Sequence, residues 1–283
     1  MITFPQIGYM GRLGNQMFQF ASTLGIANRL GFEARFPIEN CLNFIGSGPF
    51  DPKIGRPMDV KCDLVDCFDI SPEYFIPQRH MNQGHSYHEN KFGYDQEIES
   101  LPDNSSLNGY FQTEKYFKEF RDLIISQFAF KSSYSDPAES YIQTIRENNK
   151  DAVIASIHVR RGDYVMFPDH HPPCSFNYYN NAIEELRILN SNIIYVIFSD
   201  DVEWCHKEFN DPSYVISDLE NPYIEMCAMS LCDHNIIANS SFSWWGAWLN
   251  ANVNKTVIAP SRWFGSQISK DVSDVYCKEW KII

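Results

Sequence analysis

The chain has 283 residues, is 44% hydrophobic and carries a formal net charge of −13. That length allows one large or two modest domains with real cores. The acidic balance argues against nucleic acid, which needs a broad basic face, and against an anionic membrane surface; a small anion needs only a local cluster of positive charge.

In chain order, Ile2–Ile7 predicts a short strand, and Gly8, Gly11 and Gly14 punctuate a loop after it. From Asn15 the apolar spacing of Phe18, Ala21, Leu24, Ile26 and Leu30 predicts a helix ended by Gly31, with Phe32–Phe36 as the next strand. This βαβ-type opening lacks a Gly-x-Gly-x-x-Gly, so the ordinary dinucleotide fingerprint is absent. Residues 41–102, with scattered Pro, Gly, Asn and His, predict loops and short elements. Tyr110–Phe130 predicts a helix with a wide apolar stripe, Pro137 breaks the pattern, and Ala138–Asn148 predicts another helix. A change of domain is expected between 131 and 151.

The second half alternates more cleanly. Val153–Ile157, Ile193–Phe198, Asn235–Ala238 and Thr256–Ala259 predict strands. Phe176–Leu189, Tyr223–Leu231 and Phe242–Leu249 predict helices between them. Strands and helices at this spacing indicate a parallel, doubly wound sheet.

Three strand-to-helix junctions carry candidate chemistry. His158–Tyr164, read His-Val-Arg-Arg-Gly-Asp-Tyr, puts Arg160 and Arg161 after an apolar strand in an acidic chain. Forked guanidinium groups suit phosphate oxygens, and the carboxyl ends of α/β strands are where such sheets hold ligands. The plainer reading is an arginine pair satisfied by local carboxylates. Ser199-Asp200-Asp201 offers a carboxylate for a ribose or guanine, or a helix N-cap. Asn239-Ser240-Ser241-Phe242-Ser243 offers hydroxyls and free N–H groups at a helix start, an anion site or simple capping. Trp244, Trp245 and Trp248, at helical spacing, read as packing residues. A fourth segment, Gly11-Arg12-Leu13-Gly14-Asn15-Gln16, allows close backbone approach and supplies amide donors and acceptors.

No Asp-x-Asp occurs, so the usual carboxylate pair for a divalent metal on a nucleotide sugar is missing. Eight cysteines without a Cys-x-x-Cys read as free thiols in a reducing compartment. No signal peptide or membrane span is evident, which predicts a soluble, cytoplasmic protein, or one peripheral to a membrane where glycans are assembled.

Together these segments resemble the α-1,2-fucosyltransferases of glycosyltransferase family eleven, in their soluble bacterial-type form. The matching stretches are Gly11–Gln19, His158–Tyr164, Phe198–Asp201 and Cys232–Asn235 running into Asn239–Leu249, in the family's order. Residues 41–105 match nothing specific. The resemblance implies an α/β, GT-B-like fold: two Rossmann-like domains with parallel sheets facing a central cleft. It assigns 1–150 to an N-terminal, acceptor-side domain and 151–283 to a C-terminal, GDP-fucose-binding domain. It also implies inverting, metal-independent transfer of L-fucose from GDP-β-L-fucose to O2 of a terminal galactose in a glycan, with no cofactor.

Carried over residue by residue, Arg160 would contact the β-phosphate, and His158 and Arg161 would hold the donor or the motif. Asp163 would orient the arginines or lie near the sugar. Asn239, Ser240, Ser241, Phe242 and Ser243 would bind the pyrophosphate, and Asp200 the guanine or ribose. Gly14 and Asn15 would reach toward the reacting centre. For a general base, Asp163 is one candidate, made weak by the adjacent arginines; if leaving-group stabilisation dominates, no strong base is needed. The alternatives are another linkage, another GDP-sugar, or a catalytically silent glycan or nucleotide-sugar binder.

Overall fold

The computed structural model describes residues 1–42, 46–51, 56–81 and 84–283. They form two compact units: Met1–Lys131 with Asp271–Cys277, and Ser132–Lys270 with Lys278–Ile283. The division falls at Lys131/Ser132, not at 150/151. The physical reason is the helix Ser132–Asn148, which packs on the helix Pro222–Ser230 of the second unit. Its Arg146 also forks onto both oxygens of Asp233, at 2.9 and 3.0 Å. That helix starts before Pro137 and contains it, so the proline does not break the element.

The strands of the first unit are β1 (Ile2–Thr3), β2 (Ala34–Pro37), β3 (Gly46–Asp51), β4 (Arg56–Val60), β5 (Phe75–Ile76), β6 (His85–His88) and β7 (Ser105–Asn108). Five of them form a parallel sheet in the order β5-β2-β1-β7-β6; β3 and β4 pair antiparallel apart from it. The helix Leu13–Leu30 ends at Gly31, as the apolar spacing predicts. Its Phe20 ring stacks on Phe36 of β2 at 4.4 Å, inside a core that includes Phe4, Phe18, Phe111, Tyr116 and Phe117. Residues 110–130 are not one helix: short 3-10 turns at Glu114–Tyr116 and Lys118–Phe120 precede an α-helix of only Arg121–Gln127. Phe111, Tyr116, Phe117 and Phe128 are buried there, but the backbone is drawn tight against the first helix. A Cβ on Gly25 would come within 2.2 Å of the Tyr116 carbonyl oxygen.

The second unit holds β8 (Val153–Val159), β9 (Ile193–Ser199), β10 (Tyr214–Ile216), β11 (His234–Ile236), β12 (Val257–Ala259) and β13 (Lys281–Ile282). All are parallel, in the order β10-β9-β8-β11-β12-β13. Apolar residues of β8, β9 and the helix Phe176–Leu189 make the core: Ile157, Val159, Tyr179, Ile183, Leu186 and Ile197 are essentially inaccessible. Full burial of each such side chain contributes about 1.5–3 kcal/mol. The helix has the predicted bounds, with Ser175 as its N-cap, accepting the Tyr178 N–H. The strand order runs outward in both directions from β8 and β11, which makes the carboxyl ends of that pair the switch point where such sheets bind ligands.

Both units are therefore Rossmann-like α/β folds, as expected. The eight cysteines are free thiols, seven of them buried. Among the described residues no helix is long and apolar enough to cross a membrane.

Candidate active site

The arginine turn follows β8 directly. Asp200, just past the neighbouring β9, organises it. Its Oδ1 accepts the N–H groups of Arg161 (2.8 Å) and Gly162 (3.1 Å), and its Oδ2 lies 2.7 Å from Nη1 of Arg160. Arg160 also donates through Nη2 to Asp163. Arg161 donates through Nε to Asp201 at 2.9 Å and lies 4.3 Å above the Trp204 ring. The Arg160 guanidinium sits 5.3 Å over Tyr164, whose hydroxyl donates to the Asn239 carbonyl at 3.1 Å. The arginines are thus held by local carboxylates and aromatic faces, the plainer of the two sequence readings. Arg160 still keeps N–H groups for a further acceptor, since a guanidinium has five.

Asp200, expected at the guanine or ribose, is committed to this turn on both oxygens. Asp201 is the cap of the next helix, accepting the Trp204 N–H at 3.2 Å.

Past β11, Ser240 caps the helix Ser241–Leu249 by accepting the Phe242 N–H. First-turn N–H groups of any helix lack intrahelical acceptors, so this end aims partial positive charge out from the switch point. Asn239 is 1% exposed, and its amide is fully used. Nδ2 donates to the carbonyls of Pro172 and Trp263, both at 3.0 Å, and Oδ1 faces the Cys174 thiol at 3.4 Å. Ser243 is buried, with its hydroxyl near the Ala238 and Ser240 carbonyls. Asn239 and Ser243 therefore build the junction, while Ser241 and Phe242 are its partly exposed residues. Trp244, Trp245 and Trp248 are buried and packed on one another, as read from their spacing.

His158, in β8, is 6% exposed, and its Nδ1 has no hydrogen-bond partner among the described residues. Burial, aided by the Arg160 charge and opposed by Asp200, holds its pKa far below the usual histidine range, so the ring is neutral at pH 7. Its ring centroid lies 5.5 Å from that of Phe242.

In the first unit, Gly14 and Asn15 lie in the opening turn of the helix Leu13–Leu30. Asn15 Oδ1 accepts from Gln112 Nε2 at 2.6 Å. Gly11 must be glycine: its φ is 80°, and a Cβ would meet the Asn15 side chain at 2.2 Å. Gln16 is buried and pins the segment, donating to the Gly11 and Lys61 carbonyls and accepting from the Asp63 N–H.

Sequence reasoning missed Tyr164, Trp204 and Glu225. The aromatics carry a signal in their spacing to the arginines, as rings on which guanidinium groups rest. Glu225 carries none: a glutamate in a first helical turn looks like an ordinary dipole partner. Burial, reinforced by the Asp200 charge, pushes its pKa from 4.5 up to about 7. Cys232–Asn235 proves structural: Asp233 accepts from Arg146 and from the Ile154 N–H, and Asn235 donates to Ser156 at 2.7 Å.

Among the described residues no three His, Cys, Asp or Glu side chains are grouped as metal ligands. What the junctions offer is a guanidinium beside a helix N-terminus, an arrangement that can stabilise a diphosphate in place or as it leaves.

The profile of the family described as Glycosyl transferase family 11 matches residues 3–283. The chain is 37% identical over 179 residues to the O-antigen biosynthesis glycosyltransferase WbnK of Escherichia coli, a match covering 59% of this chain and 58% of that one. It is 30% identical over 275 residues to an alpha-1,2-colitosyltransferase of Escherichia coli, covering 90% of each. It is 24% identical to the galactoside 2-alpha-L-fucosyltransferase Sec1 of Mus musculus, covering 84% of this chain and 62% of that one. The matches thus span less than two thirds of WbnK and of Sec1. Among solved structures, POFUT1 in complex with GDP superposes with a TM-score of 0.54 at 12% identity, covering 90% of this chain and 97% of that one. That likeness is one of fold, and it makes the architecture GT-B-like.

Proposed function

The chain belongs to glycosyl transferase family 11, and we propose that it transfers L-fucose from GDP-β-L-fucose to O2 of a terminal galactose in a glycan acceptor. The transfer inverts the anomeric centre and uses no metal. The observation that carries this reading is Arg160, a fixed cation at the carboxyl end of β8, next to the switch point and the Ser241–Leu249 helix start.

In this reading the donor diphosphate lies between Arg160 and the N–H groups of Ser241 and its neighbours. Asp163 is the more exposed of the two carboxylates on Arg160, at 47% against 29% for Asp200, and is the one a phosphate oxygen displaces. Asp200 keeps the turn in place. As the glycosidic C–O bond breaks, negative charge grows on the β-phosphate, and a preorganised guanidinium lowers the barrier without reorganising. The acceptor hydroxyl attacks from the opposite face of an oxocarbenium-like centre and loses its proton as the new bond forms. The leaving-group contribution dominates, so a weak base suffices.

A second reading, a colitosyl donor, is favoured by the alpha-1,2-colitosyltransferase matched over 90% of both chains. Colitose is fucose without its 3-hydroxyl, so the two readings share the phosphate chemistry. The test is GDP release with GDP-fucose and GDP-colitose against galactose-ended acceptors, with linkage analysis of the product. Fucose on O2 of galactose supports the proposal. Turnover with GDP-colitose alone replaces the donor, and binding without turnover of either replaces the enzyme reading with a silent binder.

A further inference from the structure

Glu225 lies in the first turn of the helix Pro222–Ser230 and is only partly exposed. Among the described residues no hydrogen-bond donor or cation meets its carboxylate, and the charge acting on it is that of Asp200, of its own sign. Tyr141, on the adjoining helix Ser132–Asn148, is within electrostatic reach of Glu225. Its hydroxyl is buried beside Ser217 without a well-formed hydrogen bond. A partly buried carboxylate with no partner is costly, and so is an unsatisfied buried hydroxyl. Two such groups on adjoining helices, within electrostatic reach of each other, mark a place completed by something else.

Their position says what. Arg160, Asp200 and Ser217 follow β8, β9 and β10, which are neighbours in the sheet, and Ser217 is tied to β9 by its N–H to the Ile197 carbonyl at 2.8 Å. Two strand spacings are about 10 Å, comparable to the reach from a diphosphate to its base. A nucleotide with its phosphates at Arg160 and the Ser241 helix start can therefore extend its nucleoside over the ends of β9 and β10. Guanine presents two adjacent donors there, N1–H and the 2-amino group, which match the two oxygens of a carboxylate. Adenine presents an acceptor at N1 and is repelled.

We infer that Glu225 is the guanine-reading residue of the donor site, its carboxylate accepting N1–H and the 2-amino group. The inference rests on the GDP-sugar reading above and moves base selection away from Asp200.

The test is calorimetric affinity for GDP, IDP and ADP in the full-length protein and its Glu225→Gln and Glu225→Ala variants, with melting curves. Inosine diphosphate keeps N1–H but lacks the amino group. The wild type is expected to prefer GDP to IDP by about tenfold or more, and to prefer it to ADP further still. Both variants should lose about tenfold or more in GDP affinity and bring the GDP-to-IDP ratio toward one, with affinity for inorganic pyrophosphate unchanged. The near-isosteric Gln variant keeps the test valid if the Ala variant does not fold. A GDP-to-IDP preference that survives in folded variants overturns the inference and leaves the GDP-sugar donor standing. Wild-type protein that binds no guanine nucleotide overturns both.

Discussion

Asp200 and Arg160 form the pair on which the arginine turn is built. One oxygen of Asp200 lies 2.7 Å from the Arg160 guanidinium, and the other accepts the N–H groups of Arg161 and Gly162. A single carboxylate past β9 thus fixes both the backbone and the charge of the loop past β8. Asp200→Ala should lower kcat/KM for glycosyl transfer by about a hundredfold, with Asp200→Asn retaining part of it by keeping one acceptor. Steady-state kinetics with saturating donor check this; near-wild-type kcat in Asp200→Ala contradicts the positioning role.

Arg160→Ala should cost about 10²–10³-fold in kcat. Stability should change by no more than about 1 kcal/mol, because the ion pairs it makes are partly solvated. Arg160→Lys should rescue little, since an ammonium cannot hold two acceptors in a fork. Parallel losses of activity and of melting temperature would instead make the arginine a structural residue.

Asn239→Ala should act on stability first. Its amide bridges the buried carbonyl of Trp263 and the part-buried carbonyl of Pro172. Leaving both unpaired costs about 2–4 kcal/mol. Urea unfolding measures it, and an unchanged midpoint contradicts the bridging role.

Glu225 titrates in the neutral range, which gives a pH dependence with a definite sign. Its pKa is raised from 4.5 to about 7, so the folded protein binds the extra proton between those values, and stability falls as pH rises through that window. Glu225→Gln should then be more stable than wild type at pH 8, with the gap closing toward pH 4.5. Guanine recognition runs the other way, since only the ionised carboxylate accepts both donors. The GDP-to-IDP affinity ratio of the wild type should rise from pH 6 to pH 8, and that of the Gln variant should stay flat. The groups facing this carboxylate are Asp200 past β9 and Tyr141 from the helix Ser132–Asn148; the helix Ser241–Leu249, packed on the same element, carries no ionisable side chain. A flat wild-type ratio contradicts the assignment.

Transfer should persist in excess EDTA, because the proposed mechanism has the leaving diphosphate neutralised by Arg160 and helix N–H groups. Activity that collapses on chelation and returns with manganese contradicts the metal-free mechanism.

The second unit was largely legible in the sequence because its central strands β8 and β9 are seven residues each and almost wholly buried. Ile193–Phe198 reads as one apolar run, and Phe176–Leu189 shows its helical period. The first unit was less so: β1 and β5 are two residues each, and β7, Ser105–Asn108, is mostly polar. Pairing there depends on neighbours distant in sequence. The aromatic stripe after Tyr110 reports burial but not conformation, since Phe111 has a positive φ and Thr113 is extended. Within the site, the residue types at the junctions were readable, but their commitments were not. Which carboxylate is used up on the arginine turn, and which is left open, follows from strand order and packing.

The segment Asp271–Cys277 belongs to the first unit, where Asp274 accepts the Tyr94 N–H at 2.9 Å and pairs with Lys115. The next residues return to the second unit, where β13 extends the sheet beside β12. Neither unit is therefore contiguous along the chain. During translation both must wait, unfinished, until residues 271–283 have left the ribosome, and a gene cut at position 131 would part the first unit from its Asp271–Cys277 segment.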